Sequence, residues 1–242
     1  MKISIIIPTL NEEKLISKIL NQLNDKNLRS LADYEIIVSD GGSRDRTVAI
    51  SKSLADRVIE YNGKVKQNIS MGRNIGALQS TGDILVFLNG DVVISDPEKL
   101  FKRIINVFAN QKFIAMTCKV EVFPDQKKIS DVIFQSFYNY YFHLLNIIGV
   151  GMGRGECQVI GRNIFNALNG YNEKLAAGED FEFFKRIRKH GKIYFARDII
   201  VYESPRRYRK YGHLYIFFSW LLNSIFVIFK KRSMSKTWEE IR

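Results

Sequence analysis

A chain of 242 residues with 46% hydrophobic and 26% charged residues is long enough for one large α/β domain and too apolar for a disordered or low-complexity protein. Its two cysteines, Cys118 and Cys157, are too few for a disulfide scaffold and lack the spacing of a structural zinc site. The formal net charge of +12 calls for anionic partners such as nucleic acid, phosphates or a membrane face.

The opening MKISIIIPTL has too short an apolar run for a signal peptide and ends at Pro8, so it reads as a strand over 3–7 and a cytoplasmic domain is expected. Asn11 is placed to cap a helix carrying Glu12 and Glu13 in its first turn, with Leu15, Ile16, Ile19, Leu20 and Leu23 at helical spacing. A second strand over 34–38 runs into SDGGS. A helix over 47–54, a short strand over 57–61, a helix over 70–79 and a strand over 84–88 ending in NGD follow. This alternation predicts βαβ units and a doubly wound, mostly parallel sheet flanked by helices. Ligands of such sheets gather outside the carboxyl ends of the strands. The polar clusters PTLNEE, SDGGS and NGD all fall at such ends.

The second half differs. A strand is expected over 113–123, then an aromatic-rich helix over 130–148 whose polar residues Ser136, Asn139, His143 and Asn146 form one stripe. A loop with Gly149, Gly151, Gly153 and Gly155 precedes an amphipathic helix over 179–190 and two short strands over 193–195 and 199–202. His143, His190 and His213 are too scattered to read as metal ligands. From Glu203 onward there are nine basic residues and three acidic ones, and residues 214–229 carry no charge. The expected organisation is one domain over 1–205 followed by a basic, apolar helical extension over 206–242.

Four clusters can carry chemistry, and each has a plainer reading. Asp40 can accept hydrogen bonds from a base or a ribose, or simply make an Asp-Gly turn. Asp91, after Asn89 and Gly90, can hold a cation that bridges a diphosphate, or end a strand. Arg73 offers a planar, always-charged fork suited to a diphosphate, or is a surface residue of a helix packed closely through Gly76 and Ala77. Asp180, at the start of a helix after Glu179, can act as a general base, or merely favour the helix dipole.

Order and text together resemble a family-two glycosyltransferase of the GT-A fold, akin to polyprenyl- and dolichyl-phosphate sugar transferases. The resemblance rests on IIIPTLNEE (5–13), IIVSDGGSRDRT (36–47), GRNIGA (72–77), FLNGD (87–91) and GEDFEFFKRIRKHG (178–191). It covers about residues 1–205 and implies a nucleotide-binding half (1–95), an acceptor-side half (96–205) and an inverting transfer from a nucleotide-diphospho-sugar donor. It implies that Pro8, Thr9 and Glu12 line the nucleotide pocket. Asp40 would bind the base with Gly42 and Ser43 nearby, and Arg73 would sit near the diphosphate. Asp91 would bind Mg²⁺ or Mn²⁺ as the last acid of the DxD motif, Asp180 would be the base, and Glu179 would support the acceptor side. Asn89 departs from the family's first DxD aspartate and lowers the expected metal affinity.

Residues 214–229 are short for a bilayer core of about 30 Å and are flanked by cations, so a helix lying in the membrane interface is expected, with a spanning helix or a buried contact as alternatives. Arg206 and Arg207 are placed to contact a phosphate of donor or acceptor, or form a solvated basic loop. The apolar helices and basic clusters point to a lipid-phosphate or lipid-linked glycan acceptor and to a peripheral position on the inner face of the cell membrane. A soluble transferase acting on a non-lipid acceptor, a nucleotidyltransferase and a basic nucleic-acid-binding protein are the competing readings. The last has no nucleic-acid-binding motif behind it.

Overall fold

The structure, a computed structural model, describes residues 1–230. Its elements are β1 (Ile3–Thr9), α1 (Ile16–Leu23), α2 (Lys26–Leu31), β2 (Tyr34–Asp40), α3 (Thr47–Leu54), β3 (Arg57–Glu60), α4 (Ile69–Leu78), β4 (Ile84–Leu88), β5 (Val92–Ile94), α5 (Pro97–Ala109), β6 (Phe113–Val122), α6 (Ile129–Ile147), β7 (Cys157–Gly161), α7 (Arg162–Ala167), α8 (Glu179–Arg188), β8 (Lys192–Glu203), α9 (Arg206–Tyr211) and α10 (His213–Lys230). One sheet runs in the order β3-β2-β1-β4-β7-β6-β8-β5. The pairs β1–β2, β1–β4, β2–β3 and β6–β8 are parallel. β7 lies antiparallel between β4 and β6, and β5 pairs antiparallel with β8. This is the mostly parallel, helix-flanked sheet expected, with a reversed strand at its middle.

β1 is rich in isoleucine on both faces, with Ser4 the one polar residue among Ile3, Ile5, Ile6 and Ile7, because both its faces are covered. Ile3, Ile5 and Ile7 pack with α1 and α5 residues such as Ile19 and Phe101. Ile6 faces the opposite layer with Ala77, Phe183 and Phe184. A Cβ at Gly76 would stand 2.4 Å from Ile6 Cγ2, so only glycine lets α4 lie this close to the sheet. Asn68 accepts a hydrogen bond from Met71 N at the start of α4, and Asp96 does the same for Lys99 N ahead of Pro97 in α5.

Three expectations are corrected, and the facing of the α6 stripe is added to them. Asn11 does not cap α1, which begins at Ile16 without a side-chain cap. Asn11 sits at φ 55° and its Oδ1 accepts from Arg44 N at 2.8 Å, tying the PTLNEE loop to the SDGGS loop. The two short strands after residue 192 are one strand, β8, with a register shift against β6 at Cys118/Lys119. The stripe of α6 faces inward in part: Asn139 bonds both backbone groups of Val120, and Asn146 both of Met152. A buried helix side needs such partners for its polar groups; Phe134, Tyr138, Phe142 and Leu145 share that side, while Ile129, Ile133, Tyr140 and Ile147 face outward. Finally, the chain has no packing break at residue 205. Tyr208 and Ile216 are buried with Phe134, Tyr138 and Phe181, so α9 and the start of α10 belong to the body. The basic residues Lys231 and Arg232 of the expected extension lie outside the described residues. Among the described residues no helix is long and apolar enough to cross a membrane.

Candidate functional site

The carboxyl ends of β1 and β4, the start of α8 and the chain after β8 converge on a cavity of about 1100 Å³. It is lined by Pro8, Thr9, Glu12, Arg73, Asn89, Asp91, Glu179, Asp180, Arg206 and Arg207. The fold thus brings together residues up to 199 positions apart in sequence number. Asp40, Gly42 and Ser43 are not in its wall. Asp40 is buried, and its carboxylate accepts from Gly42 N (2.9 Å), Ser43 N (2.8 Å), Ser43 Oγ and Thr9 Oγ1 (3.2 Å). Those bonds saturate it as a turn-builder, and what the turn presents to the cavity is Gly41.

On the α8 side, Arg73 is 1% exposed. Its Nη1 donates to Glu179 Oε1 at 2.9 Å, and its Nη2 donates to Asn89 Oδ1 at 3.3 Å and to the Gly155 carbonyl at 3.0 Å. The ring of Tyr171 lies 5.1 Å from the guanidinium carbon. Gly155 leaves the space between this cation and Asp180 open. A Cβ there would stand 3.3 Å from Arg73 Nη2 and 3.5 Å from Asp180 Oδ2. Burial, then the charge of Glu179, push the Asp180 carboxyl up to about 7, against the pull of Arg73 and of the Phe181 N–H.

On the β1 side, Arg206 Nη2 donates to both oxygens of Glu12 (3.1 and 3.0 Å) and to Asp91 Oδ2 at 2.8 Å. Among the described residues, no group of three or more His, Cys, Asp or Glu is arranged around a metal position. Asp91 and the Asn89 amide oxygen still suit a hard cation, which takes oxygen ligands and draws several of them from water and substrate phosphates. Such an ion would compete with Arg206 for Asp91.

A third cluster escaped the sequence reading. Arg154 is buried and donates to Glu156, to Gln135 Oε1 at 2.9 Å and to Glu203 Oε1 at 3.4 Å. Glu203 also accepts from Tyr208 Oη at 2.6 Å. Burial and the adjacent Glu156 charge push the Glu203 carboxyl up. At Glu156 burial acts in the same direction but Arg154 outweighs it and keeps that carboxyl below its usual range. The signal available was Arg154 and Glu156 standing as charges inside the otherwise apolar 149–161 stretch. Beyond this cluster, α6 and α10 wall the cavity with Tyr138, Phe142, Leu145, Ile216, Phe217 and Trp220.

The family described as Glycosyl transferase family 2 matches residues 4–167. The chain is 29% identical over 181 residues to the 4,4'-diaponeurosporenoate glycosyltransferase of Staphylococcus haemolyticus, covering 73% of this chain and 42% of that protein. It is also 29% identical over 140 residues to the dolichol-phosphate mannosyltransferase of Pyrococcus furiosus, covering 53% of this chain and 38% of that protein. Among solved structures, the mannosyltransferase PcManGT of Pyrobaculum calidifontis, in complex with GDP-Man and Mn²⁺, superposes with a TM-score of 0.67 at 20% identity, covering 88% of this chain and 61% of that one. The chain therefore spans less than two thirds of the length of each of these proteins, and the last likeness speaks to the GT-A fold.

Proposed function

From the premise that this chain belongs to glycosyl transferase family 2, we propose that it moves a sugar, with inversion, from a nucleotide-diphospho-sugar to a hydroxyl or phosphate on a lipid-linked acceptor at the cytoplasmic face of the membrane. The observation that supports it most is the pairing, in one cavity, of a half-buried carboxyl poised near neutrality (Asp180) with the Thr9, Asn89 and Asp91 ends of β1 and β4.

The donor lies along Pro8, Thr9, Glu12 and Gly41, with Asp40, Gly42 and Ser43 shaping the turn behind it. Its diphosphate lies toward Arg73 and Arg206. Asp91, helped by the Asn89 amide, would hold Mg²⁺ or Mn²⁺, which when bound offsets charge on the departing nucleoside diphosphate. As the acceptor oxygen bonds to the anomeric carbon from the face opposite the leaving diphosphate, whose bond to that carbon breaks, Asp180 Oδ2 takes the proton of an acceptor hydroxyl; an ionised phosphate acceptor attacks without giving up a proton. Glu179 fixes Arg73 beside it, so the base keeps a neighbouring cation without being paired to it. The reacting head of the acceptor passes Arg207, Glu156 and Glu203, and its apolar part follows the aromatic wall of α6 and α10. Names of relatives that act on lipid-phosphate substrates support this choice of acceptor.

Calorimetry of the full chain with UDP-, GDP- and dTDP-sugars, with and without Mn²⁺, tests the donor. One of them is expected to bind, and binding of none would overturn the reading. Asp180→Asn is expected to bind that donor with unchanged affinity and to turn over roughly 10²–10⁴-fold more slowly. Normal turnover by a folded Asp180→Asn would remove Asp180 from the base role.

A further inference from the structure

α6 is apolar on both sides: Phe134, Tyr138, Phe142 and Leu145 are buried in the core, yet the side away from the core is apolar too, where a helix of a water-facing domain would be polar. Its inward face holds Asp131, Gln135, Asn139 and Asn146, all hydrogen-bonded. Its outward face holds Ile129 (81% exposed), Ile133 (67%), Tyr140 (70%) and Ile147 (64%). α10 adds Leu214, Phe218 and Leu222, also exposed. Ring contacts join the two faces: Phe137 to Phe217 at 6.0 Å, then Phe217 to Phe218 at 5.4 Å. An exposed apolar surface this extended marks an interaction site.

Charge says with what. The one acid on α6, Asp131, is buried and bound by Arg209 and His213, and α10 has no acid in its sequence. Cations stand at the edges: Lys128 before α6, next to Lys127, which is paired with Glu121 at 3.1 Å, Lys210 before α10, and Arg188 within 3.5 Å of a Cβ position at Gly149, past the α6 end. An apolar face without acids and with a cationic rim is complementary to a bilayer carrying anionic headgroups. The same two helices wall the acceptor end of the cavity. The geometry points to the outer face of α6, continued by α10, as the surface on which this protein sits on an anionic membrane. The inference rests on the membrane-surface acceptor proposed above and names the face that meets the lipid.

The test is flotation of the full chain with vesicles of phosphatidylcholine and phosphatidylglycerol (3:1), with sedimentation velocity in parallel. The double variant Ile133→Gln/Ile147→Gln alters exposed positions that do not line the cavity. It is expected to partition at least about tenfold more weakly, with nucleotide-sugar affinity unchanged. Pure phosphatidylcholine vesicles are expected to bind the unaltered chain more weakly than the mixed ones. Equal partition of variant and unaltered chain, or no vesicle binding at all, overturns the inference. So does a dimer that the double variant dissolves while vesicle binding stays unchanged. Vesicle binding without transfer to any lipid-phosphate acceptor would overturn the acceptor reading alone. Transfer in detergent by a protein that binds no vesicles would overturn this inference alone.

Discussion

Burial and the charge of Glu179 raise the Asp180 carboxyl to about 7, which fixes the sign of two pH effects. In the base role proposed for it Asp180 works only when deprotonated, so turnover should climb with pH through about 7, and a pH–rate profile checks it. The folded chain also binds a proton there that the unfolded chain releases above about pH 4. The contribution of Asp180 to stability is thus full below about pH 4 and lost as pH rises through about 7. Asp180→Asn should then raise the melting temperature at pH 8 by a few degrees, a gain that shrinks toward pH 5. Arg206 makes a second residue-scale prediction. Its one positive charge is shared between Glu12 and Asp91. Arg206→Met should therefore bind Mn²⁺ alone about tenfold more tightly and a nucleoside diphosphate about tenfold more weakly, each about 1.4 kcal/mol. Calorimetry with the metal and with UDP or GDP separates the two effects.

Among the elements, α6, α9 and α10 depend on one clasp. Asp131 accepts from Lys128 N at 2.8 Å, from both Arg209 nitrogens (2.9 and 2.6 Å) and from His213 Nε2 at 2.7 Å. Although burial alone would raise it, these partners hold its carboxyl down to about 2. Asp131→Asn should cost about 2 kcal/mol at pH 7, measured by urea unfolding. The loss should vanish as pH falls from about 4 through about 2, where the carboxylate is protonated in both states. This clasp was hidden from the sequence, as was the facing of α6, since periodicity gives a stripe but not which stripe meets the sheet. The strands of the first half were legible because a strand buried on both faces leaves a nearly continuous apolar run, as Ile84–Leu88 does and Ile3–Thr9 does but for Ser4 and its end.

Over the whole molecule, the chain past residue 205 completes both the core and the site. Tyr208 and Ile216 fill the core between α6 and α8, and Arg206 reaches the far wall of the cavity. A fragment of residues 1–205 should therefore unfold at markedly lower urea than the full chain, and equal midpoints would show the tail to be dispensable. The motif positions of the cavity were readable because each ends a strand or begins a helix. The bonds between them were not, because Arg206 meets Glu12 and Arg154 meets Gln135 only after the sheet has closed. Asp40 shows a further limit: a motif names a residue, while its neighbours decide whether its oxygens are left for a ligand.

The reversed strand β7 carries a consequence for biosynthesis. β1, β2, β3 and β4 can assemble from the first 88 residues, yet Ile84 to Leu88 find their second partner only in Gly161 to Cys157. A nascent chain grows from its N-terminus, so during synthesis β4 remains an open edge of isoleucine, leucine, valine and phenylalanine until β7 emerges. Such an edge is a template for pairing with another chain. The interval between making β4 and making β7 is thus the period in which this protein is most exposed to aggregation and most in need of a chaperone.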